Sequence, residues 1–186
     1  KDIVTRLKLN KSVTVNEKQF TNEIDRLEKK SGIKLATLQK DAVKTALSEK
    51  ISIITGGPGT GKTTVLKFIL SAAYDLFGVN PDEVTLLAPT GRAASRMSES
   101  VGNGYTASTI HSKLQLASEQ EDNPASDPID SKIVVVDELS MCDSYIFYML
   151  MKYTSYSSKI ILIGDAEQLP SVAAGGAGGA GIHRFC

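Results

Sequence analysis

Residues 56–64 read Gly-Gly-Pro-Gly-Thr-Gly-Lys-Thr-Thr and follow, after Thr55, the short apolar run at 51–54. The spacing Gly-x-x-x-x-Gly-Lys-Thr between a predicted strand and a predicted helix is typical of a phosphate-binding loop. Its glycines allow the backbone to curl around a phosphate with the N–H groups pointing inward, and the following helix adds its positive end. We call residues 56–64 the phosphate loop.

The phosphate loop assigns roles to particular side chains. Lys62 is expected to reach the β and γ phosphates of a nucleotide, and the Thr63 hydroxyl is expected to bind Mg²⁺. The residues predicted to surround the nucleotide phosphates are Gly57, Pro58, Gly59, Thr60, Gly61, Lys62, Thr63 and Thr64.

Hydrophobic periodicity predicts strands that alternate with helices along most of the chain. The predicted strands are 51–55, 84–88, 133–136 and 160–163. The predicted helices are 37–49, 62–77, 92–97, 106–117 and 143–153. Such alternation predicts an α/β fold, a doubly wound parallel sheet with helices on both faces, whose ligand binds at the carboxyl ends of the strands.

Two carboxylates, Asp137 and Glu138, follow the apolar strand predicted at 133–136. One of them can hold the hydration shell of Mg²⁺, and the other can orient and deprotonate a water that attacks the γ phosphate. The pair therefore favours hydrolysis over binding alone. A solvated acidic turn is the alternative interpretation.

Polar residues also follow the strand predicted at 160–163. Gln168 can hydrogen-bond to a γ phosphate and respond to its loss. A polar loop after a strand is common, so a purely structural interpretation of Gln168 stays open.

The charge balance excludes a broad basic surface, because 21 Lys and Arg residues match 21 Asp and Glu residues. Any contact with nucleic acid must then depend on a local groove. Two cysteines are too few for a disulfide scaffold and indicate a reducing compartment. No apolar run approaches the roughly 18 residues of a membrane span, so we expect a cytoplasmic protein without a membrane partner. The first residue, Lys1, favours an excised or processed chain.

Six segments together resemble the motifs of superfamily 1 helicases, in that family's order, and are most similar to its RecD-like branch. The segments are 38–43 (Leu-Gln-Lys-Asp-Ala-Val, the Q motif), 56–64 (motif I), 88–94 (Ala-Pro-Thr-Gly-Arg-Ala-Ala, motif Ia), 109–112 (Thr-Ile-His-Ser, just after motif Ia), 137–141 (Asp-Glu-Leu-Ser-Met, motif II) and 164–172 (Gly-Asp-Ala-Glu-Gln-Leu-Pro-Ser-Val, motif III).

The resemblance implies further roles for single residues. It makes Gln39 an adenine contact, Asp137 the Mg²⁺ partner, Glu138 the catalytic carboxylate and Gln168 the γ-phosphate sensor. The cofactors would be ATP and Mg²⁺. The residues that it places along a single-stranded DNA path are Thr90, Arg92 and His111. Such a path uses hydroxyls, amides and few cations, so a neutral chain is compatible with it.

Residue patterns and the resemblance together predict a division into domains. Phe20, Ile24 and Leu27 are spaced like one helical face and predict a helical N-terminal extension at 1–34, and the low-complexity Gly and Ala residues predict a flexible tail at 173–186. The resemblance implies that 35–172 is the first RecA-like motor domain. The parent protein would be an ATP-dependent 5′–3′ DNA helicase of repair or recombination, with other subunits of a recombination complex as partners. The sequence after Val172 shows no counterpart of motifs IV to VI, so this chain alone is expected to bind Mg·ATP and hydrolyse it very slowly.

Two other classes of function stay open on the residues. One is a different phosphate-loop enzyme, but no Asn-Lys-x-Asp element of a GTPase occurs, and the predicted surface loop at 118–131 lacks the basic residues of a kinase lid. The other is a non-catalytic, nucleotide-dependent DNA-binding or scaffold module.

Overall fold

The computed structural model describes residues 14–115, 127–165 and 181–185. The helices are α1 (Glu17–Ser31), α2 (Thr37–Ser48), α3 (Lys62–Phe77), α4 (Gly91–Val101), α5 (Ile110–Leu114) and α6 (Ser144–Tyr153). The strands are β1 (Ile51–Gly56), β2 (Val84–Ala88), β3 (Ala107–Thr109), β4 (Ile133–Val136), β5 (Lys159–Gly164) and β6 (Gly181–Phe185). Two short 3₁₀ turns occupy Pro81–Glu83 and Leu139–Met141.

The six strands form one sheet in the order β3-β2-β4-β5-β1-β6, and every pair is parallel. β1, which leads into the phosphate loop, lies between β5 and β6, with Ile53 opposite Leu162 on one side and Ile182 on the other. A parallel strand covered on both faces is apolar along its whole length, as β4 is, with all four residues buried. The predicted doubly wound α/β fold is confirmed.

Two hydrophobic cores lie on opposite faces of the sheet. Val135 of β4 points into the core that α1, α2, α3 and the end of α4 complete, and Val134 and Val136 point into the core that α5 and α6 complete. Successive residues of a strand face opposite sides, so this alternation places helices on both faces. The helices cover the two faces of the sheet, and the carboxyl ends of the strands stay open to a ligand.

The helix predicted from Phe20, Ile24 and Leu27 is present as α1, and all three side chains are buried. Asn16 starts the helix, because its side chain accepts hydrogen bonds from the N–H groups of Lys18 and Gln19. Residues 1–13 lie outside the described ranges. None of the helices in those ranges is long and apolar enough to cross a membrane.

The helix predicted at 106–117 is wrong in its first part. Ala107–Thr109 forms β3, which pairs with β2, and α5 then runs for only five residues. The outer edge of β2 has backbone groups that need partners, and the Thr109 side chain accepts a hydrogen bond from Ser112 N–H at 3.0 Å, which starts the helix there. The predicted loop at 118–131 falls largely outside the described residues, although Ile129 is buried.

The predicted tail at 173–186 also needs a correction, because residues 181–185 are the parallel strand β6. The pairing with β1 runs from Ser52 opposite Gly181 to Gly56 opposite Phe185. Without β6, the edge of β1 would leave its N–H and C=O groups unpaired. Residues 173–180 lie outside the described ranges, and the division into domains stays a prediction.

Lys159 starts β5 at the end of the sheet opposite the phosphate loop, and its ammonium group donates to the Glu49 carbonyl. Burial, reinforced by the charge of Lys50, lowers the pKa of Lys159 to about 8. The folded chain thus favours the neutral amine, so its free energy of unfolding should rise with pH from about 8 towards the unfolded lysine pKa of about 10.4.

We expect Lys159→Met to remove this rise, because methionine carries no charge to bury. Urea unfolding at pH 7.5 and pH 9.5 would measure the slope, with Lys67→Met, a change on the exposed face of α3, as the control. Identical slopes in the wild type and in Lys159→Met would contradict the prediction.

Candidate nucleotide-binding site

The phosphate loop joins β1 to α3 through two glycines in the left-handed region. Gly59 has φ +75° and Gly61 has φ +85°, values that side chains rarely allow. The Thr60 hydroxyl donates to the Gly57 carbonyl at 2.8 Å and closes the loop on itself. These features fix a tight turn between the strand and the helix.

The amino end of α3 provides donors suited to an anion. Gly61 precedes the 16-residue helix and has no side chain to cap it. The N–H groups of the first helical turn, at Lys62, Thr63 and Thr64, therefore retain their capacity to bind phosphate oxygens. The residues present fit a nucleotide phosphate.

The Lys62 ammonium group lies against the loop. It donates to the carbonyls of Gly56 at 2.5 Å and Gly57 at 2.9 Å. This position keeps a positive charge at the mouth of the loop, where phosphates would enter.

A cleft of about 330 Å³ opens at the carboxyl ends of β1, β4 and β5. Its walls are formed by residues that follow these strands, together with one side chain from α4. They are Pro58, Lys62, Arg96, Asp137, Glu138, Ser140, Met141, Gly164 and Asp165. The cleft thus joins the phosphate loop to the two predicted carboxylates.

Asp137 continues the sheet beyond β4, since its N–H donates to the Leu87 carbonyl at 2.9 Å. Its Oδ1 accepts a hydrogen bond from Glu138 N–H at 2.8 Å. Burial, assisted by the Glu138 charge, raises the pKa of the Asp137 carboxyl, although Glu138 N–H and Lys62 act in the opposite direction. A carboxylate so desolvated gains from a cation beside it.

The donor set also fits Mg²⁺. The described residues contain no cluster of three or more His, Cys, Asp or Glu that would hold a metal by itself. Mg²⁺ usually binds one or two carboxylates and completes its shell with water and substrate phosphates. Asp137 and the exposed Thr63 hydroxyl suit that kind of site.

Glu138 has φ +53°, in the left-handed region, and precedes the 3₁₀ turn at Leu139–Met141. Its carboxylate forms an ion pair with Arg96 of α4, Oε1 to Nη2 at 2.9 Å. Arg96 was not among the residues predicted from the sequence. Its position four residues after Arg92, on the same helical face, was the available signal.

Gln39 lies directly beside the phosphate loop. Its Oε1 accepts a hydrogen bond from Ala36 N–H at 2.9 Å, and its Nε2 donates to the Thr60 carbonyl at 2.9 Å. The structure therefore brings this predicted residue to the nucleotide site.

The three residues predicted for a DNA path follow two adjacent strand ends, where Ala88 of β2 is opposite Thr109 of β3. Thr90 caps α4 by accepting a hydrogen bond from Ala93 N–H at 3.2 Å. Arg92 and His111 are exposed in the first turns of α4 and α5. Gln168 lies outside the described residues.

Comparison with protein families gives a match to the AAA domain over residues 39–174. The chain belongs to this family. The AAA domain therefore begins at Gln39 and includes the phosphate loop, both carboxylates and the predicted DNA path.

The chain is also similar to curated helicase proteins. It is 37% identical to RecBCD enzyme subunit RecD of Haemophilus influenzae, over 74% of this chain and 24% of that protein. It is 35% identical to the ATP-dependent RecD2 DNA helicase of Deinococcus radiodurans, over 79% of this chain and 20% of that protein. The resemblance to RecD-like motor domains is confirmed, and the chain spans about a quarter or less of these relatives.

The fold of the chain also resembles that of a solved helicase. The UvsW helicase from bacteriophage T4 aligns with a TM-score of 0.61 and 14% identity, over 96% of this chain and 71% of that one. At this identity the likeness supports the α/β fold alone.

We expect Gly61→Ala to destabilise the chain by about 1–2 kcal/mol, because a Cβ is strained at positive φ. The new methyl carbon would also lie 2.8 Å from Gln39 Nε2, too close without movement. Urea unfolding measures the effect. Gly91→Ala is the matched control, since a Cβ there meets open space at ordinary φ, and equal stability of the two variants would contradict the prediction.

We expect Asp137→Asn to stabilise the nucleotide-free chain at neutral pH. Because the pKa of Asp137 is raised in the folded chain, its carboxyl binds a proton more tightly there than in the unfolded chain. The protonated carboxyl therefore stabilises the fold below the ordinary aspartate pKa of about 4, and this stabilisation is lost as pH rises through the folded pKa. Asparagine avoids that loss and keeps an oxygen for Glu138 N–H. Thermal melting at pH 7 measures the gain.

The same substitution should weaken Mg²⁺-dependent nucleotide binding, because the cation loses its carboxylate. Asp41→Asn, on the exposed face of α2, is the control for both measurements. A lower melting temperature for Asp137→Asn, or an unchanged Mg²⁺ dependence, would refute the interpretation.

Proposed function

We propose that this chain is the ATP-binding motor domain of a RecD-like 5′–3′ DNA helicase, which couples ATP hydrolysis to movement along single-stranded DNA. The observation that carries the proposal is the single cleft in which Lys62, Asp137 and Glu138 meet, within an AAA domain similar to RecD. A cytoplasmic location and a part in DNA repair or recombination belong to the same proposal.

Each polar group of the cleft has a task in this proposal. Lys62 and the first-turn N–H groups of α3 bind the phosphates, while Thr63 and Asp137 hold Mg²⁺, which would neutralise charge that develops on the γ phosphate. Glu138 orients a water and accepts its proton. By resemblance, Gln168 is the γ-phosphate sensor and Gln39 the adenine contact.

Arg96 restrains the proposed catalytic base. While its guanidinium pairs with Glu138, an oxygen of the carboxylate that would accept a proton from water is occupied by the ion pair. Arg96 belongs to α4, which Thr90 caps and which contains Arg92 in its first turn. One helix therefore connects the proposed path of the DNA strand to the hydrolytic carboxylate.

Rapid turnover is expected to need groups beyond these 186 residues. The resemblance implies a second motor domain, whose arginine stabilises the transferred phosphoryl group and is worth roughly 10³- to 10⁵-fold in rate in related enzymes. We propose that the chain alone binds Mg·ATP, hydrolyses it very slowly and does not unwind DNA. Other subunits of a recombination complex are proposed partners of the whole protein.

The second candidate is a non-catalytic, nucleotide-dependent DNA-binding module. The ion pair between Arg96 and Glu138 is the observation that favours it, since the pair occupies the carboxylate that hydrolysis would need as a base. Both candidates require ATP binding, and turnover stimulated by DNA separates them.

We expect Lys62→Ala to weaken Mg²⁺-dependent binding of a fluorescent ATP analogue roughly 10-fold or more, because a charge-assisted contact to phosphate is lost. Lys67→Ala, on the exposed face of α3, should bind like the wild type. A short single-stranded oligonucleotide at low salt should change the affinity of the wild type.

The outcomes test the nucleotide site, its coupling to DNA and the need for a second domain. Equal binding by Lys62→Ala and the wild type would refute the nucleotide site. ATP binding that no oligonucleotide alters would remove the coupling expected of a motor domain, and efficient unwinding by the chain alone would contradict the need for a second domain.

A further inference from the structure

Helix α1 lies outside the segment that matches the AAA domain, yet a buried carboxylate connects it to the nucleotide site. Glu28 is only 6% exposed, and its Oε1 accepts hydrogen bonds from Leu35 N–H at 2.8 Å and from the Lys40 ammonium group at 2.9 Å. Burial alone would raise the pKa of Glu28, but the bonds from Lys40 and Leu35 hold it below its ordinary value. Glu28 is therefore ionised and anchored to the segment before α2.

That segment orients Gln39. Leu35 is buried and held by Glu28, and Ala36, the next residue, donates its N–H to Gln39 Oε1 at 2.9 Å. Gln39 Nε2 in turn donates to the Thr60 carbonyl of the phosphate loop at 2.9 Å. Four successive contacts thus run from α1 to the loop, and we call them the Glu28 relay: Glu28 to Leu35, Leu35 to Ala36 along the chain, Ala36 to Gln39, and Gln39 to Thr60.

The relay determines which way the Gln39 amide faces. A glutamine amide has two N–H donors and an oxygen with two lone pairs, and the relay uses one of each. One donor and one acceptor remain on fixed sides of the side chain. Adenine offers a matching pair, the N6 amino donor and the N7 acceptor, whereas guanine offers two acceptors, O6 and N7.

We propose that Glu28 is a positioning residue for base selectivity, which holds the Leu35–Ala36 segment so that Gln39 presents an adenine-specific edge beside the phosphate loop. The proposal rests on the proposed function, since it needs the nucleotide to bind at this loop. It gives α1 a role in ATP recognition, in addition to its packing against α3.

Ala36→Pro tests the contact between Ala36 and Gln39 in the relay. Ala36 is exposed and has φ −64°, a value that proline adopts, and the substitution removes the N–H that orients Gln39. Glu28→Leu removes the anchor itself. Glu28→Gln keeps an oxygen for Leu35 N–H but loses the charge.

The control for these variants is Glu17→Gln. Glu17 of α1 forms an ion pair with Lys44 of α2, so the variant breaks another contact between the same two helices, away from Gln39. The measured quantity is the ratio of affinities for Mg·ATP and Mg·GTP. Tripolyphosphate, which has no base, reports on the phosphate loop alone, and thermal melting reports on folding.

We expect Ala36→Pro and Glu28→Leu each to reduce the ATP-over-GTP preference roughly 3- to 10-fold, the value of about one hydrogen bond. The double variant should lose no more than either single one, because both act on one relay. Glu28→Gln should lose about 2-fold, since a neutral oxygen accepts more weakly than a carboxylate. Glu17→Gln, and tripolyphosphate binding in every variant, should be unchanged.

An unchanged preference in folded Glu28→Leu, or equal losses of ATP and tripolyphosphate affinity, would overturn the proposal. If Glu28→Leu fails to fold, an unchanged ratio in Glu28→Gln or in Ala36→Pro overturns it instead. A wild-type chain that binds ATP without preference over GTP also refutes the relay and leaves the nucleotide site intact. A wild-type chain that binds neither ATP nor tripolyphosphate refutes the proposed function itself.

Discussion

The left-handed turn at Gly59 and Gly61 is the constraint on which the rest of the site depends. It allows the backbone to leave β1 and enter α3 within a few residues, so the helix begins where the strand ends. Because Gly61 has no side chain, α3 starts with uncapped N–H groups and Gln39 can approach the loop closely. The donors that suit a phosphate, and the residue proposed to read the base, both follow from this one turn.

The two carboxylates of the site, Asp137 and Glu138, lie in unfavourable surroundings or conformations. Asp137 is desolvated and adjoins a second carboxylate, and Glu138 adopts positive φ and is paired with Arg96. An arrangement that opposes the ionisation of Asp137 at rest is one that a bound cation would relieve. The unfavourable interactions that lower stability thus lie where the proposed chemistry needs a metal. Destabilising interactions of this kind are common at functional sites.

Strongly apolar strands were the most predictable part of the fold. β2 and β4 have the predicted bounds, because short runs that are largely or wholly apolar suit a doubly covered parallel strand. β3 and β6 were missed, since each lacks such a run and its pairing depends on the edge of a neighbouring strand.

The residues of the candidate site also divide into those that a local sequence pattern predicts and those that it does not. Residues within a local motif, such as Lys62, Asp137 and Glu138, were predicted and do line one cleft. Arg96 and Glu28 were not, because their ion pairs join residues that are distant in sequence, Arg96 to Glu138 and Glu28 to Lys40. Local patterns specify the chemistry of a loop, whereas ion pairs between elements require the packed fold.

The place of β1 in the sheet has a consequence for the order of folding. β1 pairs with β5 and β6, whose residues begin at 159 and 181, and with no strand nearer in sequence. Contacts between residues so far apart form late, after the entropy of closing a long loop has been overcome. During synthesis, the phosphate loop therefore leaves the ribosome before its supporting strands, and a nascent chain that ends before residue 159 contains neither of the strands that pair with β1.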